Sequence, residues 1–382
     1  MVYLDHAAAS PVDPRVLAFC SRYLAGDYGN PSALYSLGLS ARQALEEARE
    51  RVAALIHAES PKSIVFTGSA TESNNLAIRG TALRNRKEGT HLIVSAIEHI
   101  SVMNPMKDLQ KAGFDLTVAP VDGEGVIDAA FLEEAVSAET TLVSINVAND
   151  EIGTVEPVRE ISRIVHEQGR YLHMNATAAA GRVPIDVVRD GIDLLTLSSN
   201  DLGGPRGAAA LYIAPGVRIA SVMPGGGQER GLRSGTENLF AIAGMGEAAR
   251  YAGAEMAEEM AREQAIRDAL VREVLTIDES YLTGHPTDRL PNHASFRFSR
   301  IEGESILLNL DTLFGIQVAT GSACSSRTLE PSHVLLAIGL AHEEAHGSVV
   351  MSLGRQNTQA DVPVVADAMA RTVERLRSIS PL

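Results

Sequence analysis

Short apolar runs alternate along the chain, as far as Leu239, with longer segments whose apolar residues recur at helical spacing. The runs SIVF from Ser63, HLIVS from His91, DLTVAP from Asp115, TLVSINV from Thr141, YLHMN from Tyr171 and DLLTLS from Asp193 read as strands. Between them, residues 40–57 and 158–167 carry the i, i+3, i+4 pattern of amphipathic helices. Strands alternating with helices require right-handed crossovers, so the pattern predicts an α/β fold with a mostly parallel sheet covered on both faces. In such sheets ligands bind beyond the carboxyl ends of the strands, and those ends are polar in this chain.

After Leu239 the pattern changes to one long helical stretch, AIAGMGEAARYAGAEMAEEMAREQAIRDALVREVL, rich in Ala, Glu and Arg. It predicts a connection into a second, small α+β domain. That domain holds a strand at ASFRF from Ala294, a helix around 304–310, the segment IQVATGSAC, a strand at SVVMSLG and a last helix over 361–377. The expected division is a large domain over 15–248 and a small one made of 1–14 with 249–382. No internal repeat or low-complexity tract interrupts either part.

Length and composition agree with two ordinary globular domains: 382 residues, 45% hydrophobic and 21% charged. Asp plus Glu outnumber Lys plus Arg by 48 to 33, a formal charge of -15 that argues against nucleic acid and anionic membrane surfaces as partners. No apolar run approaches the roughly 20 residues of a membrane span, and the N-terminus MVYLDHAAASPVDP lacks the basic start and apolar core of a signal peptide. A cytoplasmic location is expected. Two cysteines, Cys20 and Cys324, are too few for a disulfide framework and point instead to thiol chemistry.

Candidate chemistry gathers at the strand ends. TGSATESNN follows the first strand with small residues opening a helix, where backbone N–H groups and the Thr71 hydroxyl could hold a phosphate or simply cap the helix. SAIEHIS brings His99 to the same rim, NVANDEIGT brings Asn149 and Glu151, and HMNATAAAG brings Asn175. LSSNDLGGPRG forms a polar turn after Ser198. Together these ends predict a cofactor or substrate site.

The ordered series YLDHAAASPVD, YGNPSA, FTGSATESNNLAI, EHISVM, NDEIGTVEPV, HMNATAAAG, GGGQERGLRSGTEN, GESILL, GSACSSRTLEPSHVL and SLGRQNT resembles the cysteine desulfurases across essentially the whole chain. The resemblance implies an aspartate-aminotransferase-like fold: the seven-stranded type of mostly parallel sheet found in the large domain of pyridoxal-phosphate-dependent transferases, plus a small α+β domain. It also implies a homodimer that takes sulfur from L-cysteine for iron–sulfur cluster assembly on a scaffold protein. On that resemblance Thr71 and Ser198 contact the cofactor phosphate, and Thr236 does so from the neighbouring subunit. His99 stacks on the pyridine ring and handles protons, Asn149 lies near the ring oxygen, Arg355 grips the substrate carboxylate, and Cys324 takes the sulfur.

The chain departs from the pattern where the cofactor is anchored. Asn200 and Asp201 stand where the family carries a His and the Schiff-base Lys, and Asn175 stands where an Asp pairs with the ring nitrogen. Ala178 and Gly203 replace a Gln and an aromatic residue. Arg206, the next basic residue, stays protonated and forms no imine. The expectation is therefore a sulfur-transfer protein of cluster assembly. Its Cys324 carries persulfide, or serves as the one candidate metal ligand by holding a shared 2Fe-2S cluster. The sulfur comes from L-cysteine or sulfide, and pyridoxal or pyridoxamine phosphate, where bound, is held noncovalently. The alternative is a non-enzymatic homologue that binds a partner.

Overall fold

The computed structural model describes residues 1–321 and 331–379, so Cys324 lies outside the described residues. Twelve strands are described: β1 Val2–Tyr3, β2 Ile64–Thr67, β3 His91–Ser95, β4 Asp115–Ala119, β5 Thr140–Asn146, β6 Tyr171–Asn175, β7 Leu194–Ser198, β8 Ala209–Ile213, β9 Ser280–Leu282, β10 His293–Phe298, β11 Ile316–Gln317 and β12 Ser348–Ser352. Strands β2 to β8 form one seven-stranded sheet in the order β2-β8-β7-β6-β5-β3-β4. β8 runs antiparallel to both neighbours, and every other pairing is parallel.

Alternate residues of these strands enter different cores, which is why the strands read as unbroken apolar runs. Phe66, Ile93, Val143 and Ile145 pack against helices Ser36–Leu55 and Val158–Glu167 and the start of Leu239–Val274. Val65, Leu92, Val94 and Leu142 pack on the opposite face, against Ala70–Asn85 and Ile100–Lys111. The expected strands and helices recur within a few residues. β8 escapes the sequence reading because AALYI follows the GGPRG turn after a single residue, Ala208, and has no helical segment before it.

A separate core holds Phe296, Phe298, Met351, Met369 and Val373. It is built on the antiparallel order β12-β10-β9 and on helix Asp361–Ile379. β1 pairs with β11, and Leu4 enters this second core. Helix Leu239–Val274 spans 36 residues, roughly 54 Å at 1.5 Å per residue. Its first half packs in the large-sheet core and its second half, through Ile266, Leu270 and Val274, in the other. Among the described residues, no helix is long and apolar enough to cross a membrane.

Candidate active site

Parallel pairing brings the carboxyl ends of β5, β6 and β7 to one rim. Asn146 pairs in register with Asn175, which pairs with Thr196, two residues before Ser198. β2 ends at the same rim and leads through Ser69 into helix Ala70–Asn85. The Ser69 hydroxyl accepts the Glu72 N–H at 3.2 Å, leaving Ala70 and Thr71 to face a cavity of about 210 Å³. His99, Asn175, Asn200 and Asp201 line that cavity as well. His99 caps helix Ile100–Lys111 with Nδ1, which accepts the Ser101 N–H at 3.0 Å, so the ring proton sits on Nε2.

The floor is more polar than the sequence suggests. Glu98 is fully buried; its Oε2 accepts the His99 N–H at 2.9 Å and the Asn175 amide at 3.4 Å. Asn175 Oδ1 accepts from Thr177 at the backbone N–H and the hydroxyl, 3.2 and 2.7 Å away. Burial pushes the Glu98 carboxyl up to about 8, so it is largely protonated near neutral pH. Burial also raises Asp201, to about 6, with the Arg182 cation and a hydrogen bond from Ser198 acting in the opposite direction.

A second cavity, about 430 Å³, adjoins the first and shares Arg182 and Asp201 with it. Arg355 lines this second cavity, not the first. Its Nη1 lies 2.5 Å from Glu255 Oε2, and Asp13 and Glu259 stand at 3.9 Å. His6 lies beside it, packed on Gly354; a Cβ there would come within 2.4 Å of the ring. Asn149 faces neither cavity. Its amide donates to Ile97 O at 2.8 Å and accepts from the Glu151 and Ile152 N–H groups, tying the chain after β5. Thr236 is exposed, outside both cavities.

Arg182, Glu98, Asn146 and Asn292 were not singled out in the sequence, although all four line the first cavity. Glu98 adjoins His99, and Arg182 follows the quoted HMNATAAAG by one residue. Gly181, with φ at +75°, makes the turn that carries Arg182 into the cleft, and a Cβ there would meet Leu202 at 2.9 Å.

The lining fits one part of pyridoxal phosphate and not another. The helix N-terminus at Ala70 and Thr71 suits a phosphate. A Schiff base does not fit, because the only lysines are Lys62, Lys87, Lys107 and Lys111, all exposed and none lining either cavity. The Asn175 amide also carries no charge to balance a protonated ring nitrogen.

The buried carboxyls give a pH signature. Glu98, Glu151 and Glu156 are each pushed up to about 8 by burial, against an ordinary value near 4.5. Between those values the folded protein holds protons that the unfolded chain releases, so each group lowers stability as pH rises, by up to about 1.4 kcal/mol per pH unit. His6, His173 and His293, held to about 4, 3 and 3, act oppositely below their ordinary 6.5. From about pH 4.5 to 6.5 the two sets offset each other, Asp201 adding a shallower loss below pH 6, and the steep net loss of stability is expected between pH 6.5 and 8. Thermal melts across this range check it; Glu156→Gln, outside the cavities, should flatten the decline by about a third.

The model of the family described as aminotransferase class-V matches residues 2–365. Cysteine desulfurase IscS 1 of Archaeoglobus fulgidus is 51% identical over 382 residues, covering 100% of this chain and 99% of its own. Among solved structures, a NifS-like protein superposes with a TM-score of 0.92 at 34% identity, covering 98% of this chain and 100% of its own. The structure described as SspA in complex with cysteine has a TM-score of 0.82 at 33% identity, covering 92% and 99%.

Proposed function

The chain belongs to the aminotransferase class-V family, and from that premise we propose that it serves iron–sulfur cluster assembly as a cysteine desulfurase-like sulfur-transfer protein acting through Cys324. The observation that carries the reading is the joining of whole-chain similarity to a cysteine desulfurase with a cavity walled by three carboxyls, Glu98, Asp150 and Asp201, and no amine. As a carrier, the Cys324 thiolate attacks the outer sulfur of a donor persulfide; a new S–S bond forms and the donor thiolate leaves. As a ligand, the same thiolate binds iron of a 2Fe-2S cluster shared with the scaffold partner. A cytoplasmic homodimer belongs to this reading, with Thr236 serving the neighbouring subunit.

A second reading is favoured by the Ala70–Thr71 cradle: pyridoxal or pyridoxamine phosphate held noncovalently beside His99, with Ser198 positioning Asp201. One experiment separates the two. Purified protein is incubated with pyridoxal phosphate, reduced with borohydride, digested and mapped by mass spectrometry, while alanine released from L-cysteine is quantified. The first reading expects adducts on surface lysines only and no alanine above the protein-free control. Multiple-turnover alanine without a cavity adduct would replace it with the second.

A further inference from the structure

The two cavities meet at one pair of opposite charges. Arg182 and Asp201 line both, and the Arg182 guanidinium donates to the Asp201 backbone carbonyl at 3.3 Å. Among the described residues, however, no carboxylate comes within 4.0 Å of Arg182. The nearby Glu263, buried in the wall of the second cavity, feels its charge without bonding to it. The guanidinium and the carboxylate are both partly exposed to the cleft and act on each other through space, but no ion pair joins them, so each is open to a counter-charge on a ligand. The wall beyond them presents further unsatisfied groups. Glu98 Oε1, both polar atoms of the Asn146 amide and Asn292 Oδ1 have no protein partner, and all three residues are 3% exposed or less. Such atoms call for a polar ligand or water.

We infer that Arg182 and Asp201 form a two-point clamp for a free, zwitterionic α-amino acid, Arg182 taking the α-carboxylate and Asp201 the α-ammonium. An amino acid carries the two missing counter-charges on one carbon, and a guanidinium fork suits a carboxylate. Arg355 is less available for this task, since Glu255 holds it at 2.5 Å with two more acids at 3.9 Å. Asp201 then acts as an ion-pair partner at the position where the family resemblance places an amine. The similar structure described as SspA in complex with cysteine shows an amino acid bound to a protein of this fold. The inference rests on the cysteine desulfurase-like reading and goes beyond it, by naming how this cleft would hold an amino acid without a Schiff base.

The test is isothermal titration of the full-length protein, with no pyridoxal phosphate added, using L-cysteine, L-alanine, 3-mercaptopropionate and cysteamine. L-Cysteine and L-alanine are expected to bind, and removing either charged end of the ligand should weaken binding at least about tenfold. Arg182→Met and Asp201→Asn should each weaken L-alanine binding by at least about tenfold with the melting curve retained, and Arg355→Met by less than about twofold. The clamp is refuted if cysteamine or 3-mercaptopropionate binds the unmodified protein as tightly as L-cysteine. It also fails if neither amino acid binds at millimolar concentration, or if Arg355→Met abolishes binding that Arg182→Met preserves. L-Alanine has no sulfur, so its binding does not pass through Cys324, and failure of the sulfur-transfer reading would be seen separately.

Discussion

Replacing Cys324 by serine is expected to lower cluster formation on a scaffold protein by at least about a hundredfold, because a hydroxyl can replace neither function of the thiolate. A serine oxygen forms no persulfide, and as a hard, protonated donor it is a poor ligand for iron–sulfur clusters. Cys20 supplies the control. It is fully buried against helix Leu239–Val274, and burial pushes its thiol above the ordinary range, so it holds no reactive thiolate near neutral pH. Anaerobic reconstitution followed by visible absorbance should therefore separate Cys324→Ser, which loses the signal, from Cys20→Ala, which keeps it. Equal rates for the unmodified protein and Cys324→Ser would remove the sulfur-transfer reading.

The largest stability effect is expected at Glu229. Its carboxylate receives both arms of Arg49 at 2.8 Å and also the Phe66 N–H at 2.9 Å; Arg49 donates in addition to Ile64 O. Side-chain exposures of 4% for Arg49 and 2% for Glu229 put this pair out of reach of solvent. Glu229→Ala leaves the Phe66 N–H without a partner and the buried guanidinium with only Ile64 O and the exposed Glu46 carboxylate, at 3.2 Å, a loss of about 3 kcal/mol. The double variant Arg49→Leu with Glu229→Leu should recover much of that loss, since replacing both charges removes the uncompensated ion. Urea unfolding with an unchanged m-value reads both, and a loss under about 1 kcal/mol for Glu229→Ala would mean that water reaches the pair. The same bond fixes the turn in which Glu229 and Arg230 adopt φ of +46° and +58°. This turn leads toward Thr236, so the Ala variant should also loosen the segment to which the resemblance assigns a phosphate contact.

Much of the architecture was legible because it rests on local pattern. The unbroken runs of β3 and β5 announced strands buried on both faces, and the 3.6-residue recurrence over Val158–Glu167 announced its helix. The polar strand ends likewise announced the rim where Thr71, His99, Asn175 and Asp201 line one cavity. Composition and order alone also revealed that no lysine follows Lys111.

What remained hidden depends on side chains meeting across long stretches of sequence. Asn149 sits at a strand end like its neighbours, yet its amide is taken up by the backbone of Ile97, Glu151 and Ile152, so strand-end position alone did not place it in a cavity. Arg355 acquires its acid partner from a helix 100 residues earlier. Glu98 gains its role only in the floor of the first cavity, and Arg182 only where the two cavities meet. Hydrophobic periodicity reports which face of an element is buried, because burial along one helix or strand repeats with its own geometry. Charge pairing, desolvation and orphaned polar atoms depend on distances between elements, and only the packed tertiary structure sets those.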